Sequence, residues 1–195
     1  TDTSVFYADK VLIAAGGFPK REQYKWLEAL GYTIQDPVPS LFTFNMPKHP
    51  ITELMGVSVP MATVKIAGTK ITQTGALLIT HWGLSGPAVL KLSAWAARHL
   101  FEQRYKFGIS INWLPEYNDR SVLEKIREVR FELARQKMVN NNPFGLPSRL
   151  WQFLLEETGI SPELRWADLP AKAQNILASK ICSYPMQVSG KTTFK

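Results

Sequence analysis

Between Gly75 and Leu90 the chain reads Gly-Ala-Leu-Leu-Ile-Thr-His-Trp-Gly-Leu-Ser-Gly-Pro-Ala-Val-Leu, an order that few backbone paths satisfy. Leu77, Leu78 and Ile79 form a short apolar run of strand character that stops at a glycine-rich turn. Pro87 fits the first turn of a helix, where its missing N–H would be unpaired anyway, and Ser85 is placed to cap that helix with its hydroxyl. Amides exposed at such a turn carry partial positive charge, which favours an anion or an electron-rich ligand edge. Thr80, His81, Gly83, Ser85 and Gly86 are therefore the candidate pocket residues, with His81 and Ser85 the candidates for chemistry. The plainer reading of the same pattern is an ordinary strand-turn-helix scaffold. A serine-nucleophile elbow, G-x-S-x-G, is a weaker reading, because Pro87 stands where the second glycine belongs.

A chain of 195 residues with 45% hydrophobic content can bury a real core as one large domain or two small ones. No stretch approaches the roughly 18 to 20 apolar residues of a membrane span, and Thr1 to Ser4 carry no basic leader, so the expected location is cytoplasmic. The single Cys182 cannot form an internal disulfide and sits in an apolar helical stretch, which points to a buried thiol. His49, His81 and His99 stand far apart with no Cys or carboxylate at ligand spacing, so no metal site is expected.

The net charge of +7 is uneven: 7 basic face 6 acidic side chains through Leu90, and 16 face 10 from Lys91 onward. In the second half Arg120, Lys125, Arg127, Arg130, Arg135 and Lys137 alternate with Glu124, Glu128 and Glu132 at helical pairing distances. That arrangement reads as a solvated, ion-paired helix face, and nucleic acid is not the expected partner.

Val5 to Ala8 and Val11 to Ala15 read as strands, the second ending at Gly16-Gly17. A helix follows over Lys20 to Leu30 with Gly31 as its stop, and Asp36-Pro37-Val38-Pro39 forms a stiff boundary. From Ser40 the texture turns to strands: Leu41 to Asn45, Ala62 to Ala67, Lys70 to Thr74 and Ala76 to Thr80, with Ala67-Gly68-Thr69 as a hairpin. A helix from Pro87 to about Phe101 precedes a strand in which Phe107, Ile109, Ile111 and Trp113 share one face. Ser121-Val122-Leu123-Glu124 is a capping-box sequence that opens a helix. Helices over Pro147 to Thr158 and Pro170 to Cys182 complete a small bundle, the last with Ile176, Leu177 and Ile181 inward. Tyr184 to Val188 and Thr192 to Lys195 look like a hairpin cut off in mid-course, so the chain reads as an internal piece of a longer protein.

Five stretches taken in order resemble one family. Val11-Leu12-Ile13-Ala14-Ala15-Gly16-Gly17 is similar to V-L-A-T-G-G, and Leu30-Gly31-Tyr32 with Pro37-Val38-Pro39-Ser40-Leu41 to L-G-H…P-x-P-A-L. Thr80 to Leu90 resembles T-H-x-G-[IL]-S-G-P-A-x-L, Asn112 to Pro115 resembles D-x-x-P, and Leu146 to Leu150 resembles L-P-x-R-L. The family is that of the aminoacetone oxidase-like bacterial FAD-dependent flavoproteins, which also includes bile-acid-metabolising flavoproteins. Tyr32 and Ala15 depart from its usual His and Thr, and no G-x-G-x-x-G occurs in the chain.

The resemblance implies an α+β fold: a Greek-key antiparallel β-barrel with an inserted small helical bundle, plus a short remnant of the FAD-binding α/β domain. On this reading residues 1–37 are the remnant and connector, 38–115 with 183–195 the barrel, and 116–182 the helical part. It further implies FAD in the intact protein, with Ala15, Gly16 and Gly17 among its contacts, and none bound to this piece. The function so implied is that of an inactive insertion region that covers the flavin and helps form a small-molecule substrate pocket. The rivals are a basic barrel-type nucleic-acid-binding module and a serine hydrolase using Ser85 with His81.

Overall fold

The computed structural model describes residues 4–192; the terminal strand expected over Thr192 to Lys195 therefore lies mostly outside the described residues, as do Thr1 to Thr3. Two compact units divide the chain, Thr1–Val38 and Pro39–Lys195.

In the first unit, helix α1 (Lys25–Ala29) follows a single 3-10 turn, and Gly31 ends it at φ +88°. Arg21 ties this segment together, reaching Glu28 at 3.0 Å and Asp36 at 2.8 Å. The two strands expected between Val5 and Ala15 do not form. A strand is held by hydrogen bonds from a neighbour, and no described strand pairs with this segment. Val5, Phe6, Tyr7, Val11 and Leu12 are accordingly exposed.

The second unit is built on one antiparallel sheet of seven strands: β1 (Thr43–Asn45), β2 (Ser58–Ile66), β3 (Thr72–Thr80), β4 (Gly83–Ser85), β5 (Phe107–Asn112), β6 (Tyr184–Val188) and β7 (Gly190–Thr192). Their order is β6-β5-β2-β3-β4-β1-β7. Period-2 alternation decides which face is inside: Ala62, Val64 and Ile66 of β2 and Phe107, Ile109 and Ile111 of β5 are buried, and the residues between them look outward. The β2–β3 register slips between Val59 and Ala62, a bulge at Pro60, which has no N–H to give the ladder. Gly68, at φ +72°, makes the expected β2–β3 turn.

One expectation is corrected here. Among the described residues no ladder joins the edge strands β6 and β7 to each other, so the sheet is not closed into the expected Greek-key barrel; β6 pairs with β5, and β7 with β1. Ser189 alone separates β6 from β7, and its N–H donates to the Asn45 carbonyl at 2.8 Å, so the sheet must curl until its two edges meet one continuous stretch of chain. The two strands on either side of Ser189 thus serve two different neighbours, β5 and β1.

Helix α2 (Pro87–Trp95) lies across the sheet with Ala88, Val89 and Leu92 buried, and α3 (Ala97–Glu102) continues it after a break at Ala96. Beyond β5, α4 (Asp119–Glu132), α5 (Ser148–Glu157) and α6 (Ala171–Cys182) form the helical part. Val122, Ile126 and Val129 give α4 its buried stripe at helical spacing. The cap of α4 is Asn118, whose Oδ1 accepts from Ser121 N–H at 3.0 Å; the expected Ser121–Glu124 box begins one turn too late because Ser121 itself completes the box from Asn118. In α6 Leu177 and Ile181 point inward as expected, while Ile176 is exposed. Arg149 of α5 ties the helical part to the 3-10 turn between β1 and β2, donating to the carbonyls of Glu53 at 2.6 Å and Met55 at 3.2 Å. No helix among the described residues is long and apolar enough to cross a membrane.

Candidate functional site

The signature turn is a crowded backbone crossing. Thr80 ends β3, buried, and its Oγ1 donates to the Gly83 carbonyl at 3.1 Å. Gly83 sits opposite Asn45, at φ +146°, where an added Cβ would stand 2.1 Å from the Phe44 carbonyl oxygen. Gly86, at φ +96°, would bring a Cβ within 2.8 Å of the Ala76 oxygen. Both glycines are thus required by neighbouring strands before any ligand is invoked. Ser85 is not the helix cap: it is the last residue of β4, paired with Leu78, and Gly86 is the N-cap without a side-chain bond. The short strand β4 carries the chain one residue further before the helix can start. His81 is exposed at the turn, its ring edge-on to Trp82 with centroids 4.1 Å apart. Among the described residues no hydrogen bond joins His81 to Ser85, so the nucleophile-base contact of a hydrolase is missing.

Ala15, Gly16 and Gly17 belong to the first unit, are exposed, and form no helix or strand. Gly16 adopts φ +73°, and no heavy atom lies within 4 Å of a Cβ built on either glycine. That open backbone leaves room for close approach by a phosphate group.

A second candidate, which the sequence reading overlooked, occupies the outward face of the sheet. Two rows of polar side chains cross β3, β2 and β5: Thr74, Thr63 and Asn112 in one, Thr72, Lys65 and Ser110 in the next. The hydroxyls of Thr63 and Thr74 are 2.7 Å apart. With Lys70 from the hairpin, all of these residues but Thr74 line a groove of about 520 Å³. Lys65 and Lys70 have no carboxylate partner among the described residues. Cys182 closes one end, its thiol pushed up to about 12 by burial and, secondarily, by Asp119. The usable signal in the sequence was the alternation itself: Thr63 and Lys65, Thr72 and Thr74, and Ser110 and Asn112 recur two apart on their strands, and none is acidic.

A titratable cluster sits where the helical part meets β6. Tyr184 donates to Glu157 at 2.8 Å, Lys180 approaches the same carboxylate at 3.2 Å, and the Lys180 ammonium lies 4.8 Å from the Tyr184 ring centre. Burial raises the Glu157 carboxyl, but the Tyr184 and Lys180 hydrogen bonds outweigh it and leave it below its ordinary value. His49 stacks edge-on to Tyr184, and its Nδ1 accepts the Ile51 N–H at 3.1 Å, capping the 3-10 turn that follows. Burial holds His49 below its ordinary pKa against the pull of Glu157, and only the neutral ring can accept that N–H. The unfolded chain then binds the extra proton first. Stability due to His49 is full above its unfolded value of about 6.5 and falls as pH drops from there toward the lower folded value. We expect the urea midpoint to drop between pH 8 and pH 5.5 by more in the parent than in His49→Asn, which caps without titrating; equal drops would refute the cap.

The expected paired face of α4 is only partly formed. Arg120 meets Glu124 at 3.0 Å and Lys125 meets Glu128 at 3.2 Å. Arg127, Arg130 and Arg135 have no carboxylate partner among the described residues, because their nearest acids are already engaged or lie elsewhere around the helix.

A profile of the family described as HI0933-like protein barrel and H2TH domain matches residues 38–195. The chain is 29% identical over 196 residues to the ribosomal RNA dihydrouridine synthase of Escherichia coli (strain K12), covering 96% of this chain and 46% of that protein. It is 28% identical over 144 residues to the ribosomal RNA dihydrouridine synthase of Haemophilus influenzae, covering 72% and 33%. Over 123 residues it is 28% identical to the 3-dehydro-bile acid delta(4,6)-reductase of Clostridium scindens, covering 59% and 30%. The chain spans less than half the length of each of these relatives. These findings overturn the expected function. Relatives named for acting on ribosomal RNA replace the inactive cover over a flavin beside a small substrate. Names of synthases and a reductase likewise leave no support for a free-standing nucleic-acid-binding module or a serine hydrolase.

Proposed function

Since the chain belongs to the family of the HI0933-like protein barrel and H2TH domain, we propose that it forms part of an enzyme that reduces uridine to dihydrouridine in ribosomal RNA, with the polar face of β2, β3 and β5 holding the RNA backbone. One observation carries the reading: Lys65 and Lys70 stand unopposed in a groove otherwise lined largely by hydroxyl and amide groups, in a chain aligned over 96% of its length with a ribosomal RNA dihydrouridine synthase. Lysines meet phosphates through charge, and threonine and serine hydroxyls suit the ribose 2′-OH that distinguishes RNA. Such contacts set position without reading sequence.

Forming dihydrouridine adds a hydride and a proton across the C5–C6 double bond of uracil, and the base must leave its stack to be reached. By the narrower likeness to aminoacetone oxidase-like flavoproteins, FAD in its reduced form would supply the hydride in the intact protein, and Ala15, Gly16 and Gly17 would offer open backbone to it. On the same likeness the curled sheet is the family's barrel. The part left to this chain is to bind and orient the strand. Of Thr80, His81, Gly83, Ser85 and Gly86, only His81 presents an exposed titratable side chain, and it is the turn's contact to the base. An RNA partner in ribosomes fits a cytoplasmic location.

The test uses the intact protein carrying Lys65→Glu and Lys70→Glu, restored to cells deleted for its gene, with ribosomal RNA nucleosides measured by mass spectrometry. Dihydrouridine attributable to the enzyme should fall at least about tenfold, and RNA binding by the purified protein should lose about two units of salt slope, one per lysine. Unchanged dihydrouridine with the same salt slope would refute the reading.

A further inference from the structure

We infer that the groove between α4 and the turn leading into α6 is a stacking site for an unpaired nucleobase of that RNA, with Phe131 as its platform and Arg127 and Arg130 on the flanking phosphates; this rests on the RNA reading above. Phe131 is 87% exposed, although the other large apolar residues of α4 are buried or half-buried. It opens onto a groove of about 620 Å³ walled by Arg127, Arg130, Ala134, Ala167 and Ala171. The volume suits a flat heterocycle with part of its backbone. One aromatic ring over alanines gives a narrow platform rather than the broad apolar patch that a protein partner would need.

The charges around it are of one kind. Arg127 precedes Phe131 by one helical turn and has no carboxylate partner among the described residues. The Nε and Nη2 of Arg130 donate to the carbonyls of Trp166 at 3.2 Å and Ala167 at 2.8 Å, which fixes the guanidinium at the groove wall without neutralising it. Glu124 and Glu128 are engaged by Arg120 and Lys125, and Glu132 lies about 100° around the helix from Phe131. Asp168, next to Ala167, is the acid nearest in sequence on the opposite wall. Cationic groups beside one exposed ring match a polyanion whose bases can stack, which single strands offer and duplexes do not.

The test titrates the full chain with a fluorescein-labelled single-stranded RNA of about 12 nucleotides, within the span such surfaces cover, and with the matching duplex. Phe131→Ala should weaken single-strand binding by about 5- to 150-fold, the value of one stacked base, and leave duplex binding unchanged. Phe131→Tyr should restore it, and Arg127→Gln should lower the salt slope by about one. Wild-type affinity in Phe131→Ala, while Lys65→Glu with Lys70→Glu binds poorly, would overturn the stacking site and leave the RNA reading standing. No RNA binding by the parent chain would overturn both. A dimer in sedimentation that Phe131→Ala dissociates, with RNA affinity intact, would assign the groove to a second copy and overturn the inference.

Discussion

Gly83→Ala is expected to remove about 4 kcal/mol of stability, enough to leave a domain of this size largely unfolded or insoluble. The new methyl would stand 2.1 Å from the Phe44 carbonyl oxygen and 3.0 Å from the Met46 amide, and both are backbone atoms that no rotamer change can move aside. Relief requires β1 to separate from β4, which breaks the pairing at Phe44↔Leu84 and Asn45↔Gly83 on which the curl of the sheet depends. The φ of +146° adds strain for any L-residue. Urea unfolding followed by circular dichroism measures the effect, with Gly86→Ala, whose closest approach is 2.8 Å, as a milder companion. A midpoint for Gly83→Ala equal to that of the parent would show that this crossing is not as crowded as described.

Trp151→Ala should cost about 3–5 kcal/mol, the range for deleting a fully buried large aromatic. The Trp151 indole stacks on Trp166 at 6.2 Å and 19°, abuts Phe144 at 5.9 Å, and donates through Nε1 to the Met138 carbonyl at 2.8 Å. Its loss leaves a cavity between α5 and the two turns that flank it, and takes from the Met138 carbonyl one of its two donors, leaving only the Asn141 N–H at 3.2 Å. Trp151→Phe should fall between, keeping much of the volume while losing the hydrogen bond. Unfolding monitored by fluorescence in urea decides the matter; a change under about 1 kcal/mol would mean that the helical part is held chiefly from elsewhere.

Elements whose apolar period is strong were legible in the sequence. The alternation of Phe107, Ile109 and Ile111 located β5, and Val122, Ile126 and Val129 located α4, because burial on one face is written into local spacing. Caps were harder. Asn118 and Ser121 both suit the N-terminus of α4, and only the path of the preceding loop, pinned by Asn112 Oδ1 to Leu114 N–H and Asn112 Nδ2 to the Tyr117 carbonyl, decides between them. The segment from Val5 to Ala15 has strand propensity that nothing local can satisfy, since ladder hydrogen bonds come from residues far off in the chain. The signature at Thr80 to Pro87 stood out correctly as a special backbone, yet part of its meaning was misassigned. Its glycines answer to the carbonyls of Phe44 and Ala76, residues that only the folded sheet brings near. On α4 the count of alternating charges concealed that Arg127 and Phe131 share a groove, because pairing depends on angle around the helix more than on order along it.

The junction at Ser189, where β6 on β5 gives way to β7 on β1, has a consequence for how the molecule comes into being. Thr43 and Thr192 are register partners although 149 positions separate them, so the seam of the sheet is sewn only after everything between them has left the ribosome. Until then β1 has one flank open, and the helices between must already be in place to carry the closing strand to both of its neighbours. Such distant closure is slow. A nascent chain stalled before Tyr184 should therefore display an unzipped edge, the state in which chaperones and misassembly compete for it.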